Sequence, residues 1–561
     1  MKIKAFSSQL NFKNGLTLQL NENDIIVVIG PNNSGKSATL KDILSALRDG
    51  SPGIVLENLT VKRLTPLSEI ERTLDPYLGG SGQVTVGGHS FPNMILPRWW
   101  DDSNHHVGPF LAERMISNLS TRERLSDCDP ANTFDRTKPF SATHPFQYFF
   151  KDDALESRAS NLFRRAFKKD MIIHRGASVN IPAYIGDRPT LGPNEDRISG
   201  SYLDRLENLD RLETQGDGMR SFASILGRTL ADSKPILLID EPEAFLHPPQ
   251  ARLIADIISA ESAERQTFIA THSREVLQGL LGSHSARVSV VRLTRKPSGG
   301  SAVHLPSADI AALWKDPILR FSNVLDGLFH EVVVVTEADA DCRFYEALAQ
   351  STTPPGQLPD VHYTYSGGKD RLPIVVKSLR TLGVPVATIA DFDLLNNETP
   401  LSLIVEAHGG DWSVIKPNWE AVKNTIEQNS NFVGSDQFKI QISAIIKSIP
   451  GGTAVEKSVL AKIKNLARNA SAWDHAKRSG LASLPNGEPT KKAKALLADL
   501  NAIGVFVVPD GEMEGFCRDV SGHGPRWVEE VMKLDLAADT TLTNARRFIG
   551  EIVSHLNSKL A

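Results

Sequence analysis

Residues 30–37 read GPNNSGKS and fit the pattern G-x-x-x-x-G-K-[ST]. They follow an apolar run, DIIVVIG at 24–30, and precede a helix-forming stretch, ATLKDILSALRD. Strand, glycine-rich turn and helix in that order form a phosphate-binding loop. Gly30 and Gly35 let backbone N–H groups turn inward with those of Asn33 and Ser34, and the helix start adds its positive dipole end. Lys36 is then expected at the β- and γ-phosphates and the Ser37 hydroxyl on Mg²⁺, with ATP as the nucleotide. The same pattern requires a parallel α/β sheet around the loop.

Two further apolar runs end in polar residues. ILLIDEPEAFLHP, residues 236–248, places Asp240 at a strand end, where it can hold the Mg²⁺ shell, and Glu241 beside it, where it can polarise an attacking water. FIATHS, residues 268–273, offers His272 to the terminal phosphate. Two acids after a strand, or one histidine, are commonplace alone. Their spacing behind the loop gives them meaning. The three runs lack polar alternation, as strands buried on both faces do.

This series resembles the ABC ATPase superfamily, in particular its SMC-like branch. The resemblance implies a signature loop at residues 215–221, QGDGMRS, with Gly216 and Gly218 completing a partner's ATP site. It also implies a Q-loop at Gln147, and hence a homo-oligomer paired through its heads. No run approaches the roughly 20 apolar residues of a membrane span, and no sustained heptads predict a long arm.

A second set of carboxylates follows residue 330. EVVVVTEADADCRF predicts a strand ending at Glu337 and a helix from about Asp339, so that Asp341 faces the same junction. After a turn at Gly367 and Gly368 and another helix, VPVATIADFD places Asp391 and Asp393 at the next strand end. Four such carboxylates repel one another without a cation. Hard oxygen ligands select Mg²⁺ or Mn²⁺, and paired ions of this kind serve phosphodiester cleavage. Acids that merely cap helices and end strands are the plainer reading of D-x-D alone.

The order strand–Glu, helix, glycine turn, helix, strand–D-x-D resembles the Toprim domain, although Glu337 is followed by Ala338 where that family often has glycine. GVFVVPDGEMEGF, residues 504–516, resembles the late acidic segment of OLD-type Toprim domains. It offers Glu512 and Glu514 as a further metal ligand, and the sequence does not choose between them. A loop-and-Toprim chain as a whole resembles the OLD (overcoming lysogenization defect) family of ATP-dependent endonucleases, which includes the nuclease subunit of Gabija-type and retron-associated phage defence. The resemblance implies DNA cleavage gated by ATP, a defence role, and partnership with DNA and with a helicase or other defence subunit. It also implies a late lysine, for which Lys416 and Lys533 both stand open. An ATP-dependent sensor or scaffold with a degenerate Toprim site is the alternative. Topoisomerase-like strand passage would need a nucleophilic tyrosine in a separate domain, which the sequence does not suggest.

The resulting expectation is an ATPase domain over 1–325, with a compact insertion at about 50–150 that resists assignment, and a Toprim nuclease domain over 326–561. Three scattered cysteines exclude a disulfide framework and, with no signal-like start, suggest the cytoplasm. The net charge of −4 gives no general affinity for nucleic acid. Residues 437–494 depart from it, with 11 Lys/Arg against 3 Asp/Glu, as either a DNA surface or a solvated helical face.

Overall fold

The computed structural model describes residues 3–101, 106–137, 141–176, 179–296, 299–308, 310, 323–428, 435–449, 454–469 and 471–560. It divides into two compact units, Met1–Arg320 and Phe321–Ala561.

The first unit is built on a six-stranded sheet in the order Gly299–Leu305, Val288–Lys296, Ile25–Ile29, Gln266–Ala270, Ile236–Asp240, Ile116–Leu119. All neighbours are parallel except the first pair. Ile25–Ile29 is buried at every residue, which explains its unbroken apolar run. On one face Ile26, Val28, Leu238, Phe268 and Ala270 share a core with Leu40, Ile43 and Leu47 of helix Lys36–Asp49. The strand carrying His272 at its end lies between the loop strand and the strand carrying Asp240, so the three polar ends converge.

The described residues of the unassigned segment are folded. Leu56–Arg63 pairs antiparallel with Ala5–Phe12, Gln83–Val86 and His89–Pro92 form a hairpin, and Ile116–Leu119 becomes an edge of the main sheet. Its Phe91, Trp99, Trp100 and Phe110 join the core described above. The hairpin strands are short, and Leu56–Arg63 and Ile116–Leu119 find their partners far along the chain, so no local period marks them.

A compact layer of helix Asp153–Phe167 and a three-stranded sheet follows. Glu156 is fully buried there, accepting from Ile173 N at 3.1 Å, Arg197 at 2.7 Å, Arg175 at 3.0 Å and Arg188 at 3.2 Å. Burial pushes its carboxyl up, but Arg197 and Arg188 outweigh that and hold it below the usual range. Glu156→Gln should cost about 3 kcal/mol, because it removes the one buried carboxylate that three half-buried guanidinium groups share. The wild-type contribution is present above the ordinary glutamate value of about 4.3 and is lost as pH falls through the lowered one. Chemical denaturation of both proteins at neutral and acid pH checks this.

The second unit holds a four-stranded, fully parallel sheet in the order Val361–Tyr365, Val332–Thr336, Val386–Ala390, Val505–Val507. Val332, Val334, Ala387, Ile389 and Phe506 pack with Phe344, Trp527, Phe548 and Ile552 in its core. Between the last two strands lies a helical insertion that includes Trp412–Gln428, Ser435–Lys447, Lys457–Asn469, Ala472–Ser479 and Glu488–Ile503. Among the described residues no helix is long and apolar enough to cross a membrane.

Candidate functional site

Both sites form where parallel strands end, as open α/β sheets arrange them. In the first unit Gly30 has φ 141°, and a Cβ there would lie 2.1 Å from the Leu293 carbonyl oxygen, so no side chain fits. Gly35, at φ 102°, caps helix Lys36–Asp49, and Asn33 also takes a left-handed conformation. The Ser34 hydroxyl is buried without a hydrogen-bond partner. Lys36 Nζ donates to Gly30 O and Pro31 O at 2.9 Å each. Burial lowers its pKa against the pull of Glu241, Glu243 and Asp240. The Ser37 hydroxyl donates to Asp240 Oδ1 at 2.8 Å, which brings the two expected Mg²⁺ ligands together. An unpartnered buried hydroxyl and an ammonium held only by its own loop's carbonyls fit a polyphosphate with its cation.

Glu241 follows at φ 48°, a strained conformation for a residue with a side chain. Its backbone N–H donates to Ala270 O at 2.8 Å, and its carboxylate lies 3.6 Å from His272 Nδ1. Glu243, the third acid of DEPE, plays a different part. Its Oε1 accepts from the Thr271 hydroxyl at 2.8 Å and from His272 N at 2.9 Å, fixing the turn that presents His272. Arg124, which the sequence reading missed, donates to Asp240 O and Glu241 O at 2.9 Å and to Ala244 O at 3.3 Å. It locks the strained turn from within the insertion.

Gly216 caps helix Asp217–Ala231. A Cβ on Gly218 would meet Phe245 O at 2.8 Å, so the first turn of that helix packs too closely on the Glu243–Leu246 turn for a side chain. Gln147, the Q-loop candidate, has its amide engaged within its own segment. Its Oε1 accepts from Thr143 N and His144 N and its Nε2 donates to Asn132 O, so the amide is occupied in holding the start of its own helix.

In the second unit Glu337 follows strand Val332–Thr336 directly. Its carbonyl accepts from Gly367 N and Gly368 N at 3.1 Å each, across a turn whose φ of 76° and 127° calls for glycine. Glu337, Asp391 and Asp393 place carboxylate oxygens within 4.8 Å of one another, and so do Glu512 and Glu514 with His523 Nδ1 or Nε2. Asp341 accepts from Ala338 N at 3.0 Å and feels Asp391 and Glu514. All the carboxylates singled out in this unit are therefore neighbours. Burial, then Asp391 and Asp393, push Glu337 up to about 8. Burial, then Asp391, pushes Asp341 up to about 7.

Two lysines meet this cluster. Lys477 Nζ lies 2.8 Å from Asp391 Oδ2 and 3.6 Å from Asp393 Oδ2, and Lys369 Nζ lies 3.0 Å from Asp393 Oδ2. The lysines suggested by sequence go elsewhere. Lys416 pairs with Glu398 and Glu420, and Lys533 with Glu530. His523, also missed, lies 2.7 Å from Glu514. Asp393 Oδ1 is buried with no hydrogen-bond partner, which fits a cation as its missing neighbour.

Metal-free protein should lose stability as pH rises from about 4 toward about 8, because the folded state keeps protons on Glu337 and Asp341 that the unfolded chain has released. Mg²⁺ should remove that loss, stabilise more at pH 8 than at pH 6, and add about 2.7 kcal/mol at a hundred times its Kd. Thermal melts in EDTA and in Mg²⁺ at the two pH values test this.

Comparison with known proteins bears on the first unit. Residues 64–278 match the family described as AAA domain, putative AbiEii toxin, Type IV TA system. No curated protein matches the chain. Among solved structures, an SMC head bound to the C-terminal winged-helix domain of ScpA is 13% identical, with 54% of this chain and 98% of that one covered at a TM-score of 0.33. The SMC head domain from Thermotoga maritima is 12% identical, with 54% and 99% covered at 0.29. A Pyrococcus furiosus SMC head with extended coiled coil is 11% identical, with 56% and 99% covered at 0.31. Likenesses of that size do not define a shared fold. The family match and the loop geometry make the first unit a P-loop ATPase domain.

Proposed function

We propose that this chain is an ATP-regulated, Mg²⁺-dependent DNA endonuclease of the OLD type, with Toprim as its second unit and anti-phage defence as its role. The observation that carries the reading is the convergence of Glu337, Asp341, Asp391, Asp393, Glu512 and Glu514 with Lys477 at the ends of parallel strands. So many acids side by side, with the carboxyls of Glu337, Asp341, Asp391 and Glu512 raised by burial and by neighbouring acids, are costly to keep without cations. Glu337, Asp391 and Asp393 would hold one cation, and Glu512 and Glu514 with His523 a second. Mg²⁺ or Mn²⁺ supplies charge neutralisation at a scissile phosphate when bound. Lys477 and Lys369 offer ammonium groups to the same phosphate.

In the ATPase domain Lys36 and the loop N–H groups grip the phosphates, Ser37 and Asp240 hold the cation, and Glu241 orients water with His272 beside it. The helix opened by Gly216 and Gly218 faces the nucleotide of a second copy. Pairing of heads around ATP then governs access of DNA to the acidic site. The description of the matched family as a putative toxin of type IV toxin–antitoxin systems is compatible with a defence role.

The test is cleavage of supercoiled plasmid in Mg²⁺ or Mn²⁺, with and without ATP, by wild type and by Asp391→Ala. Nicked or linear product that vanishes in the variant supports the reading. No product in any lane, with ATP hydrolysis intact, would favour an ATP-dependent sensor with a degenerate Toprim site.

A further inference from the structure

We infer that the helical hairpin of Ser435–Lys447 and Lys457–Asn469 is a clamp for the DNA backbone; this rests on the nuclease reading and names the surface that delivers its substrate. A cluster of carboxylates repels a polyanion, so the attraction that brings DNA to it must come from elsewhere on the unit. The hairpin supplies it. Lys439, Lys447, Lys457, Lys462 and Lys464 are all exposed, against Asp436 and Glu456. Lys439 lies 3.7 Å from Asp436. Among the described residues the other four have no ion-pair partner.

A merely solvated face would mix its signs, as helices elsewhere in this insertion do: Lys416 and Lys423 meet Glu420 and Glu427 one turn on. Helix Lys457–Asn469 instead separates its residues. Val459, Ile463 and Leu466 are half-buried or buried, and the helix packs on its hairpin partner. Lys457 and Lys464, two turns apart, share one face about 10 Å from each other. Exposed Ile440, Ile446 and Leu460 set apolar surface among the lysines.

The hairpin is also joined to the site. Helix Lys457–Asn469 packs on Ala472–Ser479, which packs on the Phe392–Asn396 turn behind Asp391 and delivers Lys477 to that carboxylate. The basic surface and the site lysine therefore sit on consecutive packed helices.

The experiment uses the full chain in EDTA, a fluorescein-labelled duplex of about 30 base pairs, and anisotropy titrations from about 50 to 300 mM salt. Wild type is compared with Lys447→Ala/Lys457→Ala/Lys462→Ala/Lys464→Ala. If all four contact phosphates, the slope of log affinity against log salt flattens by about three to four, and affinity at 0.1 M salt falls on the order of a thousandfold. ATP hydrolysis and the melting temperature stay at wild-type values. Lysine-dependent binding supports the clamp even if wild type does not cut plasmid, a result that would count against the nuclease reading alone. Wild-type affinity in the quadruple variant overturns the clamp, whether or not the protein cleaves. If Ile440→Glu/Ile446→Glu then gives a smaller particle in solution, the hairpin is a protein contact instead.

Discussion

Glu241→Gln slows ATP hydrolysis by about 10²–10⁴-fold and leaves ATP affinity within about threefold of wild type. Asp240 touches Ser37, and Glu243 is tied to the Thr271–His272 turn. Glu241 alone of the three acids has a carboxylate free of such duties, half-exposed beside His272. The strain at its φ of 48° is sustained by Arg124, which grips the carbonyls of Asp240 and Glu241. Phosphate release and fluorescent-nucleotide binding, measured together, separate hydrolysis from affinity. Because the variant keeps ATP, it should also enrich any ATP-paired form by light scattering. Hydrolysis at the wild-type rate would remove Glu241 from the proposed chemistry.

The second large effect concerns Lys477. Lys477→Ala should slow plasmid cleavage by about 10²–10³-fold, the usual loss when one preorganised donor to a developing charge is removed. Metal affinity should hold or tighten, since the ammonium that competes for Asp391 is gone. Lys416→Ala and Lys533→Ala should cut as wild type does, because their ammonium groups are committed to Glu398, Glu420 and Glu530. Cleavage rates read against Mn²⁺ titrations distinguish a lost phosphate contact from a weakened metal site. Full activity in Lys477→Ala would leave Lys369 as the lysine to test.

The contrast between Lys477 and Lys416 shows where reading the chain stopped. Lys477 reaches Asp391 across 86 residues of helical insertion. Nothing local distinguishes it from the other lysines of that basic stretch. Arg124 reaches the Asp240 carbonyl across 116 residues, from a segment whose short elements carry no sustained period. Gln147 is ambiguous for a related reason. A glutamine near a helix start looks the same in sequence whether it reaches a phosphate or caps its own helix, and only the structure shows its amide capping that helix.

What the sequence determined by itself was whatever depends on neighbours in the chain. A buried parallel strand needs an unbroken apolar run, and a phosphate loop needs glycines where φ is positive. The polar residue that follows such a strand must also emerge at the sheet's edge. Those conditions located residues 30–37, Asp240, Glu241, His272, Glu337, Asp391 and Asp393. Tertiary structure decided which distant side chains lie against these residues: Arg124 beneath the Asp240–Glu241 turn, Lys477 and Lys369 against the D-x-D, and His523 with Glu512 and Glu514. Their positions follow from how helices and loops pack in three dimensions, and the spacing of residues along a chain does not encode that packing.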